Sequence, residues 1–533
     1  MLRFLLLMVL VPALVHSEEY HVDVNHRHAA DSNPGTISKP WRTLDKANAN
    51  LRPGDTVYVH GGRYSQRIAP NHSGTASQSI VYESWKSDEA YLAENPSREA
   101  CIDLTNRSYI IIKGFKIHFP GGNYPAYARM LGAQHCRIED CDFSGSKRAY
   151  HGILLGDHNA ERTTSHNVFR NVRLNGCSGD LVLIRGDSHH NLFRDCRFSD
   201  TESWDHHANL MIQGLRPRGQ SPSHNVFINC RFFAVHHHAV NLCCGTHHHL
   251  FDKCILRNAD KNGNAMQMAS SDNIFRRCLV IRNKGHIGSR DTFSLYTTRD
   301  EWFQEGGYYT YSDARRNRIY NNTFADNLGY AISCNYWPYG EQYPYGIGEN
   351  VFLNNIFAFN GSERDRLELY YNDASGKIAG DLWSHNLIGS DAGKKVVTWG
   401  GRTYTLQQCM DEIPALTFDA NIQGDPLFKG RERDDYSLLP NSPCIDKGRF
   451  LTYTTSAGSG VSIPVEDSTF FFDGFGIVEG DTILVGKKIV QVISVPDDKH
   501  LVVAESVTWE NSEPVSLPYE GIAPNIGAIE YMP

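Results

Sequence analysis

The amino-acid sequence predicts an all-β protein built as a right-handed parallel β-helix solenoid. Three observations lead to this prediction: an internal repeat, two short apolar strands in every repeat, and turn residues between the strands. The repeat is Asn-x-Phe followed by polar residues, a Cys and an apolar residue, as in "HNVFRNVRL", "HNLFRDCRF" and "HNVFINCRF". Self-similarity at a fixed period is typical of stacked, equivalent rungs.

The repeat has a base period of 24 residues, and its longer steps contain insertions. Its copies begin at Asn167, Asn191, Asn225, His249, Asn273, Asn317 and Asn350. A second apolar strand precedes each copy, as in "LVLIRG", "NLMIQG" and "VNLCCG". Parallel strands in register stack equivalent positions about 4.8 Å apart. We therefore expect a ladder of asparagine side chains, and a core column of free thiols rather than disulfides, formed by Cys141, Cys196, Cys230, Cys254 and Cys278.

The sequence divides into four parts. Residues 18–453 carry the β-helix, and a short helix from Leu44 to Leu51 is expected to cap its N-terminal end. Residues 454–517 lack the repeat, and "GDTILVGKKIVQVISV" and "HLVVAESVTW" alternate as strands do, which predicts a small inserted β-module. Residues 518–533 form a closing segment, and residues 1–17 are a signal peptide.

The N-terminal residues predict the location of the protein, and its net charge narrows the class of its binding partners. Arg3, the apolar run from Phe4 to Leu14, and the small Val15 and Ser17 are typical of a cleavable leader. We expect a secreted protein, extracellular or periplasmic, with no membrane partner. The net charge of -8 argues against a nucleic-acid partner. An acidic protein that binds an acidic polymer needs a local basic strip or a cation. We expect a monomer.

The opening and the end of the chain resemble known proteins. "GTISKPWRTLDKANANLRPGDTVYVHGGRYSQRI" is similar to the opening of secreted right-handed β-helix proteins, including the chondroitinase B and alginate lyase family of polysaccharide lyases. "SPCIDKG" and "IGAIEY" are similar to the endings of many secreted β-helix proteins of environmental bacteria. This resemblance covers most of residues 18–450 and implies the fold more strongly than the activity.

The resemblance also implies a catalytic arrangement. That family uses a Lys base and an Arg from neighbouring rungs, with calcium held by Asn and Glu side chains. "LVLIRGDSHHNLF" resembles the arginine-bearing strand and gives Arg185 that role. The preceding rung has no Lys at the matching strand end, Ala269 stands where a Lys is expected, and Tyr296 occupies an Arg position. The Lys/Arg pair is therefore not intact.

Three insertions project from one side of the predicted solenoid. "LRPRGQSPSH", "TRDEWFQEGGYYTYSDARR" and "YWPYGEQYPYGIGE" all lie between a strand and the following Asn-x-Phe phrase. Loops on one side of a rigid scaffold commonly carry binding sites. Their aromatic planes suit stacking on sugar rings, although they could equally pack on each other and cover the solenoid. The candidate substrate-binding residues are Trp302, Tyr308, Tyr336 and Trp337, together with Lys261.

Aligning the residues before each strand gathers His, Asp, Lys and Arg beside these insertions. The alignment places Asp180, Ala208, Ala239 and Asn264 in one column. Elimination across a uronic acid needs a neutralised carboxylate, a base and an acid, and His titrates near neutrality. The candidate catalytic residues are His206 or His237 as base, Arg185 or Arg290 as the group that neutralises the carboxylate, and Tyr296 as acid.

The function predicted from these residues is cleavage of a uronate-containing polysaccharide by a lyase, or its epimerisation at C5. Two alternatives stay open: a glycoside hydrolase, which needs two carboxylates at a defined separation, and a carbohydrate-binding or surface protein without catalysis. The carboxylates for a hydrolase would come from Asp180, Asp187, Asp205 and Asp291. Calcium is the expected cofactor, with Asp180, Asp187 and Asp205 as candidate ligands. His166, His190, His224 and His248 are expected to form only a structural stack beside the asparagine ladder.

Overall fold

The computed structural model describes residues 17–531 except residue 87 and segments 93–98, 118–123, 158–160, 202–207, 215–220, 234–237, 258–262, 285–290, 301–309, 337–345, 362–366 and 374–375. Three long parallel sheets run along the solenoid in this part of the chain. The prediction of an all-β parallel β-helix is confirmed.

Sheet 1 contains the Asn-x-Phe strands in consecutive order along the solenoid. The strands pair in parallel, and each residue lies beside the equivalent residue of the next rung. Phe169 is thus paired with Phe193, and Phe193 with Phe227. Its fourteen strands are Glu19–Val22, Thr56–Val59, Ile80–Ser84, Ile110–Lys113, Arg137–Glu139, Val168–Arg170, Leu192–Arg194, Val226–Ile228, Leu250–Asp252, Ile274–Arg276, Arg318–Tyr320, Val351–Leu353, Leu382–Ser384 and Thr417–Asp419.

Sheet 2 follows sheet 1 after a short turn in each rung. Many of these turns place a non-glycine residue at positive φ, such as Asn171 at 52° and Asn229 at 53°. The strands of sheet 2 are Gly62–Tyr64, Ala90–Leu92, Lys116–Ile117, the first part of Asp142–Leu155, Arg173–Cys177, Arg197–Thr201, Arg231–Phe233, Ile255–Arg257, Leu279–Ile281, Thr323–Ala325, Ile356–Ala358 and Leu387–Ile388.

Sheet 3 completes each rung and carries the second apolar strand of the repeat. The chain passes from sheet 2 to sheet 3 within Asp142–Leu155, which pairs with both. Its strands are Ile102–Asp103, Tyr124–Met130, the second part of Asp142–Leu155, Val182–Arg185, Ala208–Gln213, His238–Cys243, Met266–Met268, Asp291–Tyr296, Tyr330–Asn335, Leu369–Asn372 and Lys395–Trp399, closed by the antiparallel Arg402–Thr405.

Short elements connect and close the solenoid. The first helix, Leu44–Asn50, buries Leu44 and Ala47 in the core, and its N-cap Thr43 accepts a hydrogen bond from the Lys46 amide. A second helix is Leu406–Glu412, and a 3-10 turn is Arg431–Arg433. Further short strands are Thr164–Ser165 with Ser188–His189; Thr298–Asp300 with Thr310–Ser312; Ala314–Arg315, Ile347–Gly348 and Ile378–Ala379; and Phe428–Gly430 with Asp435–Leu438.

The segment without the repeat folds as a separate six-stranded sheet, here called the β-module. Its antiparallel strands are Thr452–Tyr453, Gly458–Pro464, Thr482–Val485, Lys488–Asp497, His500–Trp509 and Pro514–Ser516. Its apolar side packs on sheet 1 near Ile274, Tyr320 and Leu353. The side chain of Arg276 spans this interface and donates to both carboxylate oxygens of Asp481, at 2.6 and 2.5 Å.

Stacked aromatic rings and thiols fill the core. Phe169, Phe193, Phe227 and Phe251 stack with ring centroids 4.4, 5.1 and 4.7 Å apart. All thirteen cysteines are free and buried, as predicted for the cysteine column. Burial raises the pKa of thiols such as Cys141, which keeps them neutral.

Asparagine side chains tie successive rungs together, as predicted. In the main ladder, Asn167 donates to Asn191 and Asn191 donates to Asn225, each at 3.0 Å. His249 occupies one rung of this ladder and accepts from the Asn225 amide at 3.3 Å. Buried amides that bond to one another satisfy the backbone groups of the turns as well as themselves.

The C-terminal segment covers only part of sheet 2. Ile529 and Tyr436 pack near Ile255, Leu279 and Ile281. The earlier rungs of sheet 2 lie outside this cluster.

No helix in the described residues is long and apolar enough to cross a membrane. Residues 1–16 lie outside the described part of the chain. The signal peptide and secretion therefore stay predictions.

Candidate functional site

The outward face of sheet 3 carries the candidate site, because polar side chains collect there in two neighbouring rows. The first row, here called the polar column, contains His151, Asp180, Ala208, His238, Asn264 and Asp291 in successive rungs. The second row is apolar at its start and polar later, and it reads Leu154, Leu183, Met211, Asn241, Gln267, Ser294 and Ser333. We call this surface the sheet-3 face.

The second row points outward because of the strand alternation. The polar column also points outward, because the two residues that follow it, such as Leu181 and Val182, both enter the core, and Ala208 of this column belongs to the outer cluster. Val182 and Ile184 point into the core, whereas Leu183 between them belongs to a separate outer cluster with Leu154 and Met211. Alternate residues of a strand point to opposite sides of the sheet. The outer residues are nevertheless buried, with Leu183 5% and Met211 9% exposed. The sheet-3 face is therefore a sheltered surface.

His151 and Asp180 form an acid–base pair in adjacent rungs of the polar column. The His151 Nδ1 lies 3.6 Å from the Asp180 Oδ2, and both side chains are buried. The other carboxylate oxygen of Asp180 accepts the Ala208 amide at 2.8 Å, which fixes its orientation. The ring of Tyr150 packs edge-on against His151 at 4.5 Å, and Tyr150 is 50% exposed. This arrangement points the Nδ1 of His151 at a carboxylate on the solvent-sheltered side.

His238 lies three rungs beyond His151 in the same column, and its hydrogen bond assigns the other tautomer. Its Nδ1 accepts the Asn264 amide at 3.0 Å. In the neutral ring one nitrogen accepts and the other donates. Neutral His238 therefore presents an Nε2–H, so it can donate a hydrogen bond to a ligand but cannot accept a proton at that atom.

The polar column continues with a carboxylate held by an amide. The Asn335 side chain donates to the Asp291 Oδ2 at 3.0 Å. Asp180 and Asp291 are four rungs apart in the register. Four parallel-strand spacings correspond to about 19 Å.

Arg185 brings a positive charge to the sheet-3 face. It ends the strand Val182–Arg185 and points outward beside Gln213 of the next rung. Burial lowers the pKa of its guanidinium, and the carboxylates of Asp157 and Asp180 oppose that effect. The Nε of Arg185 is buried and has no hydrogen-bond partner among the described residues. A sheltered guanidinium with a vacant donor is suited to bind a carboxylate.

The structure does not bring all predicted catalytic residues together. Arg185 and Tyr296 occupy the same outward row but are four rungs apart, about 19 Å. The Tyr296 hydroxyl donates to Asn241 at 3.4 Å. The side chain of Tyr296 therefore reaches back over two rungs, to a rung that is two places from that of Arg185.

Most of the other predicted site residues cannot be placed. His206, His237, Arg290, Trp302, Tyr308, Trp337, Lys261 and Asp205 lie outside the described residues. Tyr336 is described, is 8% exposed, and packs against the core cluster. This position agrees better with covering the solenoid than with stacking on a sugar.

The sequence alignment of rungs is shifted by one residue at His238. Strand pairing places His238, and not Ala239, opposite Ala208. It also places Asp291 opposite Asn264 rather than Gly263. Two consecutive residues enter the core in this rung, Ala239 and Val240, as they do in neighbouring rungs such as Leu181 and Val182, so the apolar pattern alone does not distinguish the two registers.

His151 and His238 are the two residues that the shifted alignment missed. His151 follows Tyr150 in "AYHGILLG", one rung before Asp180. Extending the column back by one rung would have found it.

Two of the three calcium candidates, Asp180 and Asp187, lie within the described residues. Asp180 lies before the strand Val182–Arg185, and Asp187 lies after it, where it accepts the Thr163 hydroxyl and faces His189 at 3.9 Å. Across the described part of the chain, no three His, Cys, Asp or Glu side chains converge on a common point. Calcium binding through Asp180, Asp187 and Asp205 thus stays a prediction, and no step below depends on it.

Two family models match consecutive parts of the chain. The first, a Pel9A-like right-handed β-helix region, matches residues 24–233, and the second, a right-handed β-helix region, matches residues 219–409. The uncharacterised protein YwoF of Bacillus subtilis (strain 168) is 30% identical over 66 residues. That match covers 12% of this chain and 14% of YwoF.

Solved structures with the same fold include enzymes of different activities. Pectate lyase Pel9A is 14% identical, with coverage of 83% of this chain and 94% of that chain and a TM-score of 0.43. A PL6 family polysaccharide lyase from Pseudopedobacter saltans is 12% identical, with coverage of 75% and 95% and a TM-score of 0.41. A GH136 lacto-N-biosidase from Eubacterium ramulus is 10% identical, with coverage of 76% and 68% and a TM-score of 0.41.

Identities and TM-scores this low leave the reaction open. The parallel sheets and the two matched regions together establish the architecture over most of the chain. The chain is a right-handed parallel β-helix protein that resembles polysaccharide lyases.

Proposed function

We propose that the protein cleaves a uronate-containing polysaccharide by β-elimination on the sheet-3 face. The observation that carries this proposal is that the His151–Asp180 pair and Arg185 share the sheet-3 face, with the Asp180 carboxylate close enough to act on the pKa of the Arg185 guanidinium. A base and a carboxylate-binding cation are the two groups that elimination next to a uronate requires.

Arg185 would bind the uronate carboxylate. Neutralising that carboxylate stabilises negative charge that develops at C5 when the adjacent proton leaves. Because burial has already removed water from the guanidinium, its interaction with a ligand carboxylate is strengthened.

His151 would act as the base. Asp180 faces its Nδ1 and favours the tautomer with the proton there, so that Nε2 carries the lone pair that would accept the C5 proton. The electron pair of the broken C–H bond forms the C4–C5 double bond, and the C4–O bond breaks. The exposed hydroxyl of Tyr150, beside His151, is positioned to protonate the departing oxygen.

The hydrolase alternative finds less support in the same geometry. Two-carboxylate hydrolysis requires a separation of roughly 5 to 9.5 Å. Asp180 and Asp291, the described carboxylates of the polar column, are about 19 Å apart.

The test is growth of ultraviolet absorbance from unsaturated uronate on alginate, pectate and glycosaminoglycans, with and without calcium. His151→Ala should lower the rate by about a hundredfold or more, and Arg185→Met by a similar factor. His500→Gln, on the exposed end of a β-module hairpin, is the matched control and should keep full activity.

Asp180→Asn tests whether Asp180 acts on the base His151 or only supports the fold. A nearby carboxylate raises the pKa of a histidine. Its removal should therefore move the acid limb of the pH–rate profile to lower pH as well as lower kcat. Full activity in His151→Ala would show that another group is the base. New reducing ends without absorbance would support the hydrolase, and neither signal would support a binding protein.

A further inference from the structure

The open part of sheet 2 carries a column of arginines on a face remote from the polar column. Strand pairing stacks Arg173, Arg197 and Arg231 in three successive rungs. All three side chains are exposed. Adjacent members are therefore about 4.8 Å apart along the solenoid axis.

These charges form no ion pairs within the described residues, although Asp142 continues the same row one rung before Arg173. None of the three arginines forms an ion pair with a described residue, whereas Arg257 one rung later is paired with Asp434. Arg197 lies over the ring of Phe233, with its guanidinium 4.9 Å from the centroid. Like charges stacked at this spacing repel one another, so the column is unfavourable unless an anion lies across it.

A second basic row lies around the corner, on sheet 1. Arg170 and Arg194 are paired in register, and the intervening turns carry Asn171 and Asp195. Arg194 has a buried Nε with no hydrogen-bond partner among the described residues. Asp195 accepts a hydrogen bond from Asn229 at 2.6 Å, so it already has a partner.

Both rows line grooves rather than flat surfaces. A groove of about 630 Å³ on sheet 2 is lined by the three arginines, by Asp142 and by the polar Asn175 and Ser199. A cleft of about 910 Å³ between sheet 1 and the β-module is lined by Arg170, Arg194 and Lys253, with Glu479 opposite. The acidic residues of the groove are Asp142 and Asp195. Those of the cleft are Glu479, Asp252 and Asp481, of which the last two are paired with Arg276.

The arginine column ends at the rung where the C-terminal part of the chain begins to cover sheet 2. In the next rungs of sheet 2, the same outward row reads Ile255 and Leu279, and these pack beneath the C-terminal segment. The arginines thus occupy the part of the row that remains open to solvent.

We propose that the arginine column, Arg173, Arg197 and Arg231 with Arg170 and Arg194 beside it, is a second binding site for an acidic polysaccharide that lies along the solenoid axis. A linear polymer with regularly spaced carboxylates matches a ladder of regularly spaced guanidinium groups. The site would hold the polymer while another stretch of it reaches the sheet-3 face, and in this respect it rests on the proposed function.

A polysaccharide fits this face better than a nucleic acid. Binding of single strands relies on aromatic platforms on which bases stack. In the described part of the face, Phe233 is covered by Arg197 and offers no open ring. The net charge of -8 restricts attraction of a polyanion to this local basic strip.

The test compares two triple variants that remove the same charge. Arg173→Gln, Arg197→Gln and Arg231→Gln are combined in one chain, and Lys394→Gln, Lys395→Gln and Arg402→Gln in the control, since these three are also exposed. Binding of defined oligomers of polygalacturonate and alginate is measured by calorimetry at several salt concentrations. His151→Ala is present throughout so that no polymer is cleaved.

The arginine variant should bind about tenfold more weakly and show a shallower dependence of affinity on salt, with the control unchanged. Equal binding by both triple variants would overturn the inference while leaving the catalytic proposal intact. Tighter binding of single-stranded DNA of equal charge would also overturn it. Weaker polymer binding in a protein that has no lyase activity would support the second site and contradict the proposed function alone.

Discussion

At the scale of single residues, Asp381 places a carboxylic acid at a ladder position that asparagine occupies in most of the preceding rungs. It ends the main asparagine ladder, where Asn350 donates to its Oδ1 at 3.0 Å through both its backbone and side-chain nitrogens. Burial raises the pKa of Asp381 to about 7, and the bonds from Asn350 partly oppose this rise. The folded protein therefore keeps this carboxyl protonated over a wide pH range.

Asp381→Asn should increase stability at alkaline pH. The folded pKa lies above the unfolded value of about 3.9, so wild-type stability falls as pH rises from 4 to about 7 and then levels. A shift of this size corresponds to about 4 kcal/mol. Urea titrations at pH 4.5 and pH 8 should show that the variant gains more at pH 8. An identical pH dependence in both proteins would contradict a buried, protonated Asp381.

Some residue positions could be read from the sequence and others could not. The spacing of Asn167, Asn191 and Asn225 predicts the ladder because identical residues at a fixed period can only stack. The sequence alignment places Ala239 rather than His238 opposite Ala208, because strict alternation does not hold at these strand starts and no feature of "VHHHAVNL" identifies the register. A one-residue shift changes which face a side chain occupies.

At the scale of elements, the histidine column forms a continuous stack at the turn before sheet 1. The rings of His166, His190, His224 and His248 are 5.2, 4.9 and 5.0 Å apart. Phe475 of the β-module packs edge-on against His224 at 4.7 Å. This confirms the structural stack expected from the repeat, and the β-module cover was not visible in the sequence.

Acid should destabilise this column. Burial and neighbouring histidines lower the pKa of His190 to about 4 and that of His224 to about 3. The unfolded pKa is about 6.5, so the stability is fully present above that pH and is lost as pH falls toward 4.

His224→Asn should reduce this loss. His224 has a φ of 52°, a conformation that Asn tolerates well. The thermal midpoint of the wild type should drop more between pH 7 and pH 4.5 than that of the variant. His500→Asn, which changes an exposed histidine, should follow the wild type. Parallel curves for all three proteins would show that the column does not govern acid sensitivity.

At the scale of the whole molecule, one buried ion pair joins the β-module to the solenoid. Arg276 is 1% exposed and bonds to Asp481, Asp252 and Tyr320. Burial lowers the pKa of Arg276, but the charges of Asp481, Tyr320 and Asp252 raise it by more, so that the guanidinium stays charged. The long separation of Arg276 and Asp481 explains why sequence periodicity predicts the β-module strands but not where the β-module docks.

Asp481→Asn should destabilise the protein by about 3 to 5 kcal/mol, because it leaves a buried guanidinium without its main counter-charge. Glu505→Gln removes an exposed partner of Lys488 and should cost about 1 kcal/mol or less. Urea unfolding measures both. Equal effects of the two substitutions would show that Arg276 finds a replacement partner.

The contacts of the C-terminal part also determine how the molecule would respond to tension. A simple stack of rungs can unfold one rung at a time from its end, because each rung contacts only its neighbours. Here Asp481 forms an ion pair with Arg276, 205 positions earlier, and Asp434 forms one with Arg257, 177 positions earlier. A force applied to the C-terminus is therefore transmitted through these ion pairs to rungs in the middle of the solenoid. The last rungs, which lie between the paired residues in sequence, bear less of that force.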